Sequence, residues 1–133
     1  MKIEYGVPMH FDLTGFSAEQ NFAFLDLLIL GMHADGHLSS AEDEPLKKLL
    51  AAMGFADETA RRREFDQSVA RVSPGIQTIP KARKLALSLA DAFTFRPQQK
   101  QVYAAVEEIM TFDNNISTWE NTLLMELRMK FRL

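Results

Sequence analysis

The stretch from His33 to Glu42, HADGHLSSAE, gathers side chains that can bind a metal ion. An EF-hand loop places oxygen ligands at positions 1, 3 and 5, a glycine at 6 and a bidentate glutamate at 12. With Asp35 at position 5, Gly36 and Glu42 fall at positions 6 and 12. Positions 1 and 3 are then Gly31 and His33, so the front half of the loop lacks its carboxylates. A hard cation would be under-coordinated there, and ordinary EF-hand calcium sensing is not expected.

The same pattern occurs a second time in the chain. Aligning Asp35 with Asp113 places MHADGHLSSAE over MTFDNNISTWE, with Glu42 over Glu120. We call these two turns the acidic corners. A repeated helix-turn-helix constrains the whole fold, and it predicts an internal duplication about a pseudo-twofold axis. The predicted units are residues 18–54 and 97–131.

A transition-metal site is another interpretation of the first acidic corner. His33, Asp35 and His37 form an H-x-D-x-H pattern that, with Glu42, could hold zinc or nickel. Positions two apart on a helix do not face each other, so this site needs His37 in the loop. The alternative is a pair of surface histidines.

A purely structural interpretation explains the corner equally well. Asp-Gly favours a tight turn, and Ser39 with Glu42 matches a capping box, in which two side chains satisfy free amides at a helix start. Metal binding and helix capping therefore both stay open. The candidate metal ligands are Asp35, Glu42, Asp113, Glu120, His33 and His37.

Six helices are predicted to position the corners in one all-α domain spanning residues 1–133. The Ser17-Ala-Glu-Gln20 capping box begins a first helix that is apolar nearly all round, as expected of a buried central helix. Pro45 shifts the start of the second helix from Ser39 toward Asp43 or bends it. The predicted helices are about 18–34, 39 or 43 to Gly54, Asp57 to Ser73, Pro80 to Phe93, Pro97 to Phe112, and Ser117 to about 130.

The two ends of the sequence alternate apolar and polar residues. Residues 1–16 are therefore predicted to form an extended arm, and residues 125–133 fit either a short strand against that arm or the end of the last helix. The spacing of Leu124, Leu127 and Phe131 favours the helix to about residue 130.

Composition bounds the class of protein. A length of 133 residues with 47% hydrophobic content and ten Phe can fill a single core. A net charge of −3 gives no basic excess for nucleic acid. There is no cysteine, signal-peptide core or apolar stretch long enough to span a membrane. We therefore expect a cytoplasmic protein with no direct membrane insertion.

Charged residues in the helices raise two further expectations. Asp26 lies within FAFLDLLIL, and a buried carboxylate needs a partner, so we expect an Arg or Lys from the middle helices beside it. The basic runs Arg61–Arg63 and Lys81–Lys84 are typical of solvated faces, but such clusters can also make a molecule bipolar and steer a charged partner.

The chain has a duplicated Asp-Gly-x-[Leu/Ile]-Ser-x-x-Glu turn between apolar helices, and in this it resembles the TerB-like family. That family is associated with tellurite resistance and is similar to an N-terminal domain of membrane-anchored J-domain co-chaperones. The resemblance covers about residues 18–131 and is strongest in LLILGMHADGHLSSAEDEPLKKLLAAMGF. It departs at Asp113-Asn-Asn, which replaces Asp-Gly. It implies two central helices, no catalytic activity, and acidic turns that bind a divalent metal or face partner proteins.

These observations predict a non-enzymatic interaction or stress-response module. Its cofactor would be a divalent cation (calcium, magnesium or zinc) or none, and its partners would be proteins, membrane-associated ones included. The alternative is a structural adaptor whose corners only cap helices. A hydrolase in which His33 or His37 activates a serine such as Ser39 is the third and least supported hypothesis.

Overall fold

The chain folds as an all-α domain, in agreement with the prediction. The computed structural model describes residues 11–35, 41, 43–110 and 118–133. Within that part there are six α-helices, no strand, and one short 3₁₀ turn at Ser73–Ile76. The helices are α1 Ala18–Asp35, α2 Glu44–Ala52, α3 Glu58–Val72, α4 Ile79–Ala90, α5 Arg96–Met110 and α6 Thr118–Phe131.

α1 is the central helix, as its nearly uniform apolar composition predicts. Every residue from Ala23 to Met32 is buried, and α1 packs against all five of the other α-helices. The second central helix is α5, which packs directly on α1. Its burial is confined to one face, because Val102 and Val106 are buried while Glu107 is exposed.

The helix starts follow the local sequence signals. Ser17 Oγ accepts from the Gln20 amide at 3.1 Å, and Gln20 Oε1 accepts from the Ser17 amide at 2.9 Å, which is the predicted reciprocal capping box. α2 begins after Asp43 with Pro45 in its first turn, so the shifted start is confirmed. α4 begins one residue before Pro80 because Thr78 acts as its N-cap, a signal that the sequence prediction missed.

Two helices end in the same hydrogen-bonding pattern. After α2, Gly54 has φ of 105°, and the amide of Phe55 donates to the carbonyl of Leu50. After α6, Arg132 has φ of 57°, and the amide of Leu133 donates to the carbonyl of Arg128. Both are Schellman motifs, which need a left-handed residue after the helix. Glycine adopts that conformation freely, and arginine does not.

The alternative of terminal strands is wrong for the described residues. Met125–Phe131 is helical, because Leu123, Leu127 and Phe131 then share one face and are buried against the core. Residues 11–17 form no strand. They are held instead by Phe11 and Phe16, whose rings pack on Phe24 at centroid distances of 5.5 and 6.0 Å. Residues 1–10, the rest of the predicted arm, lie outside the described residues.

Within the described residues, no helix combines the length and the apolar character needed to cross a bilayer.

Candidate functional site

The acidic corners lie only partly within the described residues. Asp35 is the last residue of α1, and Glu120 lies in the first turn of α6. His37, Glu42 and Asp113 are outside the described part of the chain. The predicted metal set at these corners therefore stays a prediction.

The described residues add two facts about this set. His33 is exposed in the last turn of α1, and it lies two helical positions from Asp35, a spacing at which helix residues do not face each other. Among the described residues, no group of three or more His, Cys, Asp or Glu side chains is arranged to hold a metal ion, and His37, Glu42 and Asp113 are not among those residues.

The one carboxylate in the middle of α1 has the partner that we expected. Asp26 is 5% exposed, and Arg71 of α3 forms a fork against it: Nε donates to Oδ2 and Nη2 donates to Oδ1, both at 2.9 Å. Ser68 Oγ donates to the same Oδ1 at 2.5 Å. The predicted pairing with a basic residue of the middle helices is confirmed.

The ion pair between buried Asp26 and exposed Arg71 links α3 to α1. Ser68 and Arg71 are three positions apart on α3, so both reach the same carboxylate. The guanidinium also lies 5.4 Å from the centroid of the Phe22 ring. The hydrogen bonds that Arg71 donates to Asp26 raise the pKa of Arg71 above its ordinary value. Three donors therefore occupy the carboxylate oxygens of Asp26, and all three come from α3.

The basic runs in the middle helices divide into buried and exposed residues. Arg61 is 8% exposed, and its Nη1 donates to the backbone carbonyl of Ala56 at 2.6 Å. It is therefore not part of a solvated face, contrary to the expectation for Arg61–Arg63. Arg83 and Lys84 on α4 are exposed, as expected.

A pair of glutamines joins the starts of α1 and α5. Gln20 Nε2 donates to Gln98 Oε1 at 3.1 Å, and Gln98 Nε2 donates to Gln20 Oε1 at 3.4 Å. Each amide also donates to a backbone carbonyl near the other helix, Gln20 to Ala92 at 2.9 Å and Gln98 to Gly15 at 3.4 Å. The contact is reciprocal, which is the arrangement expected where a twofold axis passes between equivalent residues.

The sequence separation of this pair, 78, equals the separation of the two acidic corners. The same spacing relates the first residues of α1 and α5, Ala18 and Arg96. It also relates Gly54 to Arg132, the left-handed residues that end α2 and α6. Three independent structural features thus occur in the register that the predicted duplication requires.

A groove of about 400 Å³ opens beside the glutamine pair. Gln101 lines it and binds both backbone groups of Asp12, accepting from the amide at 2.7 Å and donating to the carbonyl at 2.9 Å. Phe95, which is 63% exposed, forms part of the rim. Sequence reasoning missed this groove. The only signal in the sequence was Gln20, which was interpreted solely as part of the capping box. Its side-chain amide also donates to Gln98 of α5.

Comparisons with family models, with curated proteins and with solved structures found no match to the chain. The resemblance to the TerB-like family therefore depends on the residues of the two corners and on their spacing.

Proposed function

We propose that this chain is a non-enzymatic, TerB-like interaction module of the stress-response type, in which the two acidic corners bind a divalent cation. The single observation that carries the proposal is the common spacing of 78 residues. It relates the corners, the starts of α1 and α5, and the reciprocal Gln20–Gln98 contact.

The spacing supports the proposal because it makes the corners equivalent joints. Each corner connects a helix that begins at an equivalent position to a second helix that ends in the same Schellman motif. Two joints of the same construction, each with an aspartate and a glutamate seven positions apart, would present matched oxygen ligands. With so few protein oxygens per corner, a bound Mg²⁺ or Ca²⁺ would keep several waters and bind weakly.

A structural adaptor without metal is the second candidate. It is favoured by the capping box at α1, where the Ser17–Gln20 pattern acts as a reciprocal cap without any metal ion. The corner sequences Ser39-Ser-Ala-Glu42 and Ser117-Thr-Trp-Glu120 have the same pattern.

Titration calorimetry with calcium, magnesium, zinc and manganese separates the two candidates. The test variants are Asp35→Ala/Glu42→Ala and Asp113→Ala/Glu120→Ala. The matched control is Asp57→Ala/Glu58→Ala at the start of α3, where Asp57 accepts from the Ala60 amide at 2.7 Å, so that it also loses a carboxylate pair and a cap.

The metal proposal predicts heat of binding for the wild type and for the control, and reduced or absent heat for the corner variants. The adaptor hypothesis predicts no heat for any form, and a loss of about 1 kcal/mol of stability for each removed cap. A wild-type protein that binds none of the four cations rules out the metal. Turnover of a substrate that is lost with His33→Ala would contradict the non-enzymatic assignment.

A further inference from the structure

Two methionines on α6 point away from the core. Met125 is 54% exposed and Met129 is 70% exposed, and they lie one turn apart on the same face of the helix. Phe95, at the rim of the groove, is the remaining large hydrophobic side chain that is exposed within the described residues. We call Met125 and Met129 the methionine ridge. The opposite face of α6 is buried through Leu123, Leu127 and Phe131.

The ridge has different charges on its two sides. On the side of α4, Arg83 pairs with Glu126 at 3.8 Å and Lys130 pairs with Asp91, so this border is neutralised. On the other side, Arg128 lies within α6 and Arg132 follows the end of the helix; both are exposed, and neither takes part in an ion pair within the described residues. We call these two residues the arginine border. A chain with a net charge of −3 therefore has a locally positive strip beside exposed thioethers.

The predicted first repeat provides an internal comparison. At the spacing of 78 residues, Met125 and Met129 correspond to Lys47 and Ala51 of α2, which are also exposed. Lysine and alanine are ordinary helix-surface residues. The exposed methionines are thus a departure at α6 that the construction of the helix pair does not require.

We propose that the methionine ridge and the arginine border form a docking site for an amphipathic helix of a partner protein, with acidic residues along one edge of its apolar face. The proposal rests on the interaction role proposed above and names the chemistry of the partner. Methionine adapts its shape to a partner surface, and arginine pairs with carboxylates in a fork geometry.

The charge distribution favours a protein over a lipid surface. The carboxylates of Glu126 and Asp91 are already paired with Arg83 and Lys130, so unpaired charge is offered to a partner on one side of the ridge only. A helix can place its carboxylates on one side only. The apolar part of the site is also one helical turn long, which suits helix-on-helix packing and gives little insertion into a membrane.

The probe is a synthetic amphipathic peptide of about 20 residues, a length that can form a stable helix. One version has leucine on its apolar face with glutamate along one edge and glutamine along the other. A second version has lysine in place of glutamate. Binding to the full chain is measured by fluorescence anisotropy, and thermal melts establish that each variant is folded.

Three protein variants are compared. Met125→Lys/Met129→Ala installs the residues that α2 carries, which a helix surface tolerates. Arg128→Glu/Arg132→Glu reverses the arginine border. The control, Arg62→Glu, reverses a charge at an exposed position of α3, where Arg62 takes part in no ion pair within the described residues and the helix packs against α1 and the 3₁₀ turn.

We expect the wild type and the control to prefer the glutamate peptide, and each of the other two variants to bind it at least about tenfold more weakly. The lysine peptide should recover binding to Arg128→Glu/Arg132→Glu and not to the methionine variant. Equal binding of both peptides to all forms overturns the proposal.

Two further measurements exclude other occupants. Self-association of the wild type that disappears in Met125→Lys/Met129→Ala would make a second copy of this chain the occupant and overturn the proposal. Binding to phosphatidylcholine vesicles containing about 30% phosphatidylserine, without binding to the glutamate peptide, would also overturn it. Failure of this site leaves the calorimetric test of the corners unaffected, because none of these variants changes a corner residue.

Discussion

Replacement of Arg71 by alanine is the most direct test of how α3 is held on α1. The substitution removes two hydrogen bonds and the opposite charge from Asp26, whose side chain is 7% exposed. Removing one partner of a buried ion pair costs about 3 to 5 kcal/mol, because the other charge is left without compensation. The Arg71 side chain is 40% exposed, so water can enter beside the carboxylate, and we expect the lower end, about 3 kcal/mol.

The assay is urea denaturation at neutral pH, followed by far-ultraviolet circular dichroism. With a denaturant slope of about 1.5 kcal/mol/M, the midpoint should fall by about 2 M. Ser68→Ala removes one hydrogen bond from the same carboxylate and should cost about 1 kcal/mol. The double variant Asp26→Leu/Arg71→Leu should recover most of the loss, since replacing both partners by apolar groups is often neutral.

Two outcomes would refute this reasoning. A cost below 1 kcal/mol for Arg71→Ala would mean that water solvates Asp26 as well as arginine does. A double variant that is destabilised by the sum of its single variants would mean that the two residues contribute independently, and the fork geometry would not be what stabilises this interface.

Four further substitutions have expected outcomes. Both Arg132 and Gly54 have positive φ, a conformation that glycine adopts more easily than other residues. Arg132→Gly should therefore raise the free energy of unfolding by about 1 kcal/mol, and Gly54→Ala should lower it by a similar amount. Equal and opposite shifts of the urea midpoint would check this. Gly75→Ala should cost about 1 to 3 kcal/mol, since an added Cβ would lie 2.5 Å from Leu85 Cδ2; a thermal melt without a lower midpoint would contradict it. Burial raises the pKa of Tyr103 above its ordinary 10.0, so the tyrosine ionises in the unfolded chain first as the pH rises. The free energy of unfolding should therefore fall above about pH 10. Denaturation curves of Tyr103→Phe should lack this fall.

Many of the helix ends could be predicted from sequence signals that act within one or two helical turns. The Ser17–Gln20 box, the Asp57 cap and the Gly54 stop each predict a helix end from a few neighbouring residues, and each is found where it was expected. The partner of Asp26 could be predicted as a class, because a buried carboxylate needs a cation or a donor. Its identity could not, since Arg71 reaches it through the packing of α3 on α1.

The features that were missed depend on contacts between distant segments. Gln20 satisfies a local cap, and nothing in its neighbourhood indicates that its amide also meets Gln98. Arg61 lies in a run of three arginines that is typical of a solvated face. Its side chain is nevertheless buried, because it donates hydrogen bonds to backbone carbonyls that follow α2. The groove beside Gln101 arises where residues 11–16 return to α5, so no single stretch of sequence encodes it.

The two predicted repeats share residues where they contact each other and differ at exposed positions. Gln20 and Gln98 face each other, so a change at one would remove a hydrogen-bond partner of the other. The exposed positions of α2 and α6 that share the spacing of Gln20 and Gln98 carry different residue types. Lys47 and Ala51 on one helix and the methionines on the other are equally compatible with a fold held from the opposite face. A partner of the kind proposed above could therefore bind the surface of α6 without disturbing the Gln20–Gln98 contact.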